Sequence, residues 1–516
     1  MKLLKRMEEV ANKAVTLSIV GAMGVASFTV PTVAATTKTS TKAVTNMQLT
    51  TKVATDEETT ELPDSTVVGE QPPELPEGVL PGEVPPAKPG EGGFDVESGS
   101  SVETTGVYVV DTTQTISNEE ITATDSNQSP IKVTSGGILT LKDATLNKAS
   151  GEMTVEEASD FFGANAGILV NGGATANISN VAIKTTASGG NAVFSTGEGT
   201  IVNISNASIT TTKDHSRGLD ATYNGTINAS NISIQTAGAH CAAVATDRGE
   251  GTVTVKDSKL NTTGDGSPCV YSTGNITVTN SQGTATGSMI AGIEGKNSIT
   301  LDTVNFTGYA IGRGNGGGCD DVGVMIYQSM SGDANNGTGT FTAKNSTLTI
   351  AKDSKTYATA PMFFVTNTEG VINLTSTTLN FGSGILVKAS GNEDGWGKTG
   401  ENGADLQFNA SQQTLKGNVI CDAISTIDMK LQESTNFTGA VNHENTGNVT
   451  VVLDSNSKWN VTANSYVSVF TDEDETLTNI TSNGYNIYYD AANEANAWLN
   501  GETIILAGGG MLTPIA

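Results

Sequence analysis

The residues of this chain that could do chemistry are few and gather in its middle. HSRGLD (215–220) carries His215, Arg217 and Asp220. His240, Asp247 and Arg248 come about one repeat later, and Asp265, Glu294, Arg313, Asp320 and Asp321 follow. A carboxylate beside a guanidinium or imidazole can serve general acid–base chemistry if its pKa is tuned toward neutrality. Arg217, Asp220, His240, Asp320 and Asp321 are therefore the catalytic candidates. The plainer reading is solvated corners, because charged side chains flanked by Gly and Asn usually face water. The chain holds only 3 histidines, so His-dependent chemistry has little to draw on.

Binding candidates come from segments that interrupt a regular pattern, since specificity tends to sit on loops that leave a scaffold. KASGNEDGWGKTGENG (388–403) offers Trp396, and GYAIGRGNGGGCDDVG (308–323) offers Arg313. Asp247 and Arg248 complete the set. Asp320 and Asp321, with glycine-loop carbonyls, could hold calcium, as could the TDEDE run at 471–475. No other cofactor is indicated. His240 adjoins Cys241, but no Cys/His spacing suits zinc. Cys241 and Cys269 lie one repeat apart. They are either a cross-coil disulfide or two small buried apolar residues, and a one-residue offset decides between these.

What must position these residues is a repeat. Segments such as ILTLKDATL, ANISNVAI, VNISNASI and VTVKDSKL align on a polar residue that interrupts an apolar alternation. Those residues are Asp143, Asn180, Asn206, Asn231, Asp257, Asn280, Thr303, Asn345 and Ser376, at intervals of 37, 26, 25, 26, 23, 23, 42 and 31. A period of 23–26 residues marks a solenoid. Leucine-rich repeats share the period, but their Leu/Asn pattern is missing. Each unit carries two or three short strand signals and no helical periodicity. Three strands and three corners per coil is the unit of a right-handed parallel β-helix. One coil cannot bury its own apolar face, so the pattern must recur.

On this repeat pattern, over roughly 105–460, the chain resembles the pectin-lyase-like right-handed parallel β-helix proteins, and especially their secreted, adhesin-like bacterial members. Hydrolases of that group use three neighbouring Asp, a His and an Arg/Lys pair; its lyases use acidic calcium ligands with an Arg or Lys base. CDDVG (319–323) and HSRGLD superficially resemble two hydrolase motifs. They lie about four coils apart here rather than one, and the Gly-His-Gly and Arg-Ile-Lys motifs are absent. The resemblance therefore implies a fold and assigns no catalytic residue.

The remaining segments are read by composition. Residues 1–35 look like a secretory signal peptide, with Lys2, Lys5 and Arg6 before the apolar stretch 14–30 and cleavage after Ala35. Residues 36–100 hold 8 of the 13 prolines and read as a disordered acidic Thr/Pro/Glu-rich stalk. The β-helix is expected over 101–460, with 101–135 covering its first coil. An aromatic-rich cap, including Trp459, Phe470, Tyr489 and Trp498, is expected over 461–516. In GEMTVEEASDFFG (151–163) a Thr154/Glu157 capping box and a Gly163 stop predict a short helix. A net charge of −27 argues against nucleic acid as partner, and no second apolar run suggests an integral membrane protein. The expected function is a secreted bacterial surface protein, adhesin-like and non-enzymatic, that presents a polar face and insertion loops to a polysaccharide or host glycan. The alternatives are a polysaccharide lyase or glycoside hydrolase, and a structural surface or matrix protein.

Overall fold

The structure is a computed structural model that describes residues 102–312 and 321–515. The expected signal peptide and stalk lie outside the described residues, as do Arg313 and Asp320. No described helix is long and apolar enough to cross a membrane.

The chain winds as a parallel β-helix. Twelve short parallel strands, one per coil, form the first face. In that sheet Ile168, Val193, Leu219, Val244, Val270, Ala291, Val324 and Phe363 stand in one register column. Their spacings are 25, 26, 25, 26, 21, 33 and 39 residues, and the longer steps contain insertions. Two further ladders form the other faces. In the early coils they are the two legs of single 11-residue strands, Ile138–Lys148, Thr175–Thr185, Ile201–Thr211 and Thr226–Thr236. Later coils divide the same path into separate strands, such as Thr252–Lys256 and Lys259–Thr262.

The bend between the legs explains the repeat. All nine residues of the sequence column, from Asp143 to Ser376, have positive φ, between 44° and 59°. Asn and Asp enter this left-handed region more readily than other side-chain-bearing residues. Their amides then bond up the stack. Asn180 Nδ2 donates to Asp143 at 3.1 Å, Asn206 to Asn180 at 3.3 Å and Asn231 to Asn206 at 2.7 Å. Inside, like stacks on like at a strand spacing of about 4.8 Å. Leu141, Ile178, Ile204, Ala229, Val255, Val278 and Leu301 form one continuous buried column. Each larger aliphatic side chain so buried is worth about 1.5–3 kcal/mol.

The ends differ from expectation in detail. Residues Thr105–Val110 and Gln128–Val133 pair as ordinary strands of the first sheet, so 101–135 is a working coil. Its outer strand exposes Val107, Tyr108 and Val109. At the other end coil stacking continues through Lys458–Val461 onto Ile480–Thr481, and Ile487–Asp490 onto Met511–Ile515. There the chain turns back, and Ile504–Ile505 pairs antiparallel with Met511–Leu512. Phe437, Trp459, Phe470 and Trp498 run in series through this end with ring centroids 6.0, 6.4 and 6.2 Å apart.

The predicted helix, α1, spans Glu156–Phe162. Gly163 ends it at φ 69°, where a Cβ would lie 2.4 Å from the Phe194 ring. The capping box is not made. Val155 takes the N-cap position without a side-chain bond, because Thr154 instead exchanges hydrogen bonds with Asn127 across the coils.

Candidate functional site

Several central strands of the first sheet are covered on both sides. Every residue of Val193–Thr196, Leu219–Thr222, Val324–Tyr327 and Phe363–Thr366 is buried. One face is core; α1 and the loop that carries Trp396 lie on the other. Leu219 and Ala221 point into the core, so alternation sends Asp220 to the outer face, under α1.

There the helix brings Asp160 onto Arg217. Arg217 Nη1 bonds Asp160 Oδ1 at 2.6 Å, Nη2 reaches Asp247 Oδ2 at 2.8 Å, and Nε lies 3.6 Å from Asp220 Oδ2. Three carboxylates from three segments thus surround one guanidinium. His215 Nδ1 is 3.1 Å from Asp160 Oδ2 and 3.8 Å from Glu156 Oε1, and its ring lies against that of His240, centroids 5.3 Å apart. The helix is held further by Asn191, which donates to the Ser159 carbonyl, and Thr222, which donates to that of Phe161. Arg248 lies 4.0 Å over the Phe161 ring and bonds Asp333 at 2.6 Å, while Phe162 stacks on Tyr223.

Burial sets the protonation of this cluster. Loss of solvent pushes the Asp220 carboxyl up to about 7, against the pull of Arg217. The same cause raises Asp247 well above the carboxylate range. For Asp160 burial works upward too, but Arg217 and His215 outweigh it and leave the group lowered. The bond to Asp160 raises His215. Both Asp220 oxygens are buried without a hydrogen-bond partner.

Sequence candidates Arg217, Asp220, Asp247, Arg248 and His240 do share one region, as adjacent coils require. They are not open corners. Arg217 is 8%, Asp220 0% and Asp247 4% exposed. A carboxylate–guanidinium set has the right chemistry for acid–base work, yet a polymer cannot reach this one while α1 is seated. Its evident role is to clamp α1 on the sheet. Asp160, the centre of the clamp, was missed; the signal was a charge directly before Phe161–Phe162, on the face those rings bury.

The other candidates lie elsewhere. Asp321 accepts a bond from the Gly312 amide at 2.9 Å. Trp396 is pinned: Asn392 Oδ1 accepts from its backbone N–H, and Asn392 and Asn402 both donate to its carbonyl. Its ring packs 4.8 Å from Tyr327, against a cluster of Met289, Val322, Met325 and Phe364. Beside it the Tyr271 hydroxyl donates to Glu294 at 2.8 Å. In the 471–475 run, Asp474 accepts from Thr476 and Thr478, and Asp472 accepts from Asn479 through Oδ1 while its Oδ2 is buried without a hydrogen-bond partner.

Cys241 and Cys269 are free, buried thiols, each pushed up to about 12 by burial. The disulfide alternative is not realised because the offset is two residues. Val244 pairs with Val270, which sets Cys241 level with Ser267. Cys241 occupies a serine row, accepting from the Ser216 amide and donating its own amide to Ser267.

In contrast to the sealed cluster, the bend ladder is open. Asp143, Asn180, Asn206 and Asn231 line a shallow groove with Ala144, Val181 and Ala207. A second exposed ladder, Asn177, Asn203 and Asn228, runs on the first leg with amide bonds of 2.9 and 3.0 Å. No family model, curated protein or solved structure matches the chain.

Proposed function

We propose that this chain is a secreted, adhesin-like bacterial surface protein of the pectin-lyase-like β-helix group, and that it binds glycan without cleaving it. One contrast carries the reading. The strongest carboxylate–guanidinium cluster among the described residues is closed to solvent, while the exposed amide ladders repeat along an open groove. Amides that donate and accept side by side suit sugar hydroxyls, and a groove lined by small apolar and amide side chains suits an extended chain of uncharged sugars. The net charge of −27 disfavours strongly anionic polymers.

The test incubates purified protein with plant, mucin and bacterial polysaccharides. Retention is measured alongside new reducing ends and unsaturated uronides. Retention without product is expected, weakened when Asn203 and Asn206 are both replaced by Ala. Product formation would overturn the reading in favour of a lyase or hydrolase. Neither retention nor product would favour a purely structural surface role.

A further inference from the structure

Glu156, Asp160 and His215 each offer one donor atom, and these atoms lie within 4.8 Å of one another. Glu156 and Asp160 are four residues apart, hence on one face of α1. His215 comes from a corner two coils on, held at φ 54°. We propose that these three residues bind a divalent cation of the zinc class, which fastens α1 to the solenoid.

Three observations carry this. The first is spacing. Zinc binds His nitrogen and carboxylate oxygen at about 2.0–2.2 Å in tetrahedral sites, so neighbouring donors stand about 3.4 Å apart. The distances from His215 Nδ1, 3.1 Å to Asp160 and 3.8 Å to Glu156, bracket that value. The second is charge. Glu156 and Asp160 both present a carboxylate oxygen to the site, and the one guanidinium beside them, that of Arg217, is shared by Asp160, Asp220 and Asp247. Two carboxylates placed together beside an imidazole, with their one neighbouring guanidinium shared, favour an added cation. The third is support for the ligand. Asp160 presents Oδ1 to Arg217 and Oδ2 to the proposed site, so Arg217 fixes the carboxylate as outer-shell partners do. The imidazole nitrogen selects zinc, copper or nickel over calcium, which takes oxygen donors. Glu156 lies at the solvent edge, its side chain 60% exposed. The ion can therefore enter there and keep water in its remaining position.

The experiment uses the full chain without a histidine tag, stripped with chelator and titrated with Zn2+ by calorimetry and with Co2+ by visible absorption. One Zn2+ per chain is expected, together with Co2+ bands of a four-coordinate N/O site. Glu156→Gln should weaken Zn2+ binding at least tenfold, while the neighbouring Glu157→Gln leaves it unchanged. Because Glu156 is exposed, its variant keeps the fold, which circular dichroism verifies. Equal Zn2+ affinity in wild type and E156Q would overturn the proposal. So would no binding at millimolar Zn2+, or displacement of Zn2+ by equimolar Ca2+.

Discussion

Replacing Asp220 by Asn should flatten the pH dependence with which α1 and its underlying strand open. The Asp220 carboxyl is raised to about 7 by burial. A raised folded pKa means that the folded state holds the proton more tightly than the open state. Its contribution to stability is complete below the open-state value near 4 and is lost as pH rises through 7. Between pH 6 and pH 8 the opening free energy then falls by about 1.4 kcal/mol, a tenfold change in protection. His215, raised by Asp160, adds to the same slope. Asp160, lowered below its ordinary value, loses its contribution only in strong acid and is constant across this window. Hydrogen exchange on chelator-treated protein, read on peptides covering 156–162 and 217–222 at both pH values, gives the protection factors. D220N cannot ionise and should remove about tenfold of the decline. An identical decline in D220N and wild type would refute the assignment of a neutral buried carboxyl at this position.

Three further outcomes are expected. Asn206→Val should lower the melting temperature more than Asn206→Gly, because a β-branched residue at φ 52° costs about 1–2 kcal/mol beyond the lost amide bonds; equal shifts would show that the bend geometry is not what selects Asn. Cys241→Ser should be nearly neutral in thermal melts, since Cys241 stands in a serine row, whereas Cys269→Ser, in the apolar core, should cost about 1–3 kcal/mol. Phe161→Ala should remove the packing beneath Arg248 and cost about 3–5 kcal/mol locally; exchange at 156–162 should rise while peptides across 426–432 keep their protection.

The solenoid was legible because its determinant is local and recurs. The column from Asp143 to Ser376 is a run of single residues that each tolerate positive φ, so spacing alone revealed coil length and the position of one corner. The helix stop at Gly163 was legible for the same reason. The N-terminal cap of α1 was not, because Thr154 is claimed by Asn127, 27 residues earlier. The region of Arg217, Asp220 and Asp247 could be located from the coil period, but its burial could not. Burial there depends on α1 folding back over strands as many as 87 positions later in the chain, as with Phe161 and Arg248. Periodicity carries no information about where an insertion lands. Cys241 and Cys269 turned on a register offset of two, finer than the repeat alignment resolves.

The splint formed by α1 has a mechanical consequence. Where a coil touches only the coils on either side, a chain pulled from its ends should unwind coil by coil, each releasing about one repeat of slack at similar force. The contacts of Asp160, Phe161 and Phe162 reach Arg217, Tyr223 and Arg248 and bind successive coils as one block. That block cannot fray a turn at a time. Under load it should yield last and all at once, releasing a single long step. In a tether of the kind proposed, such a block in the N-terminal part of the solenoid would hold after neighbouring coils have unwound.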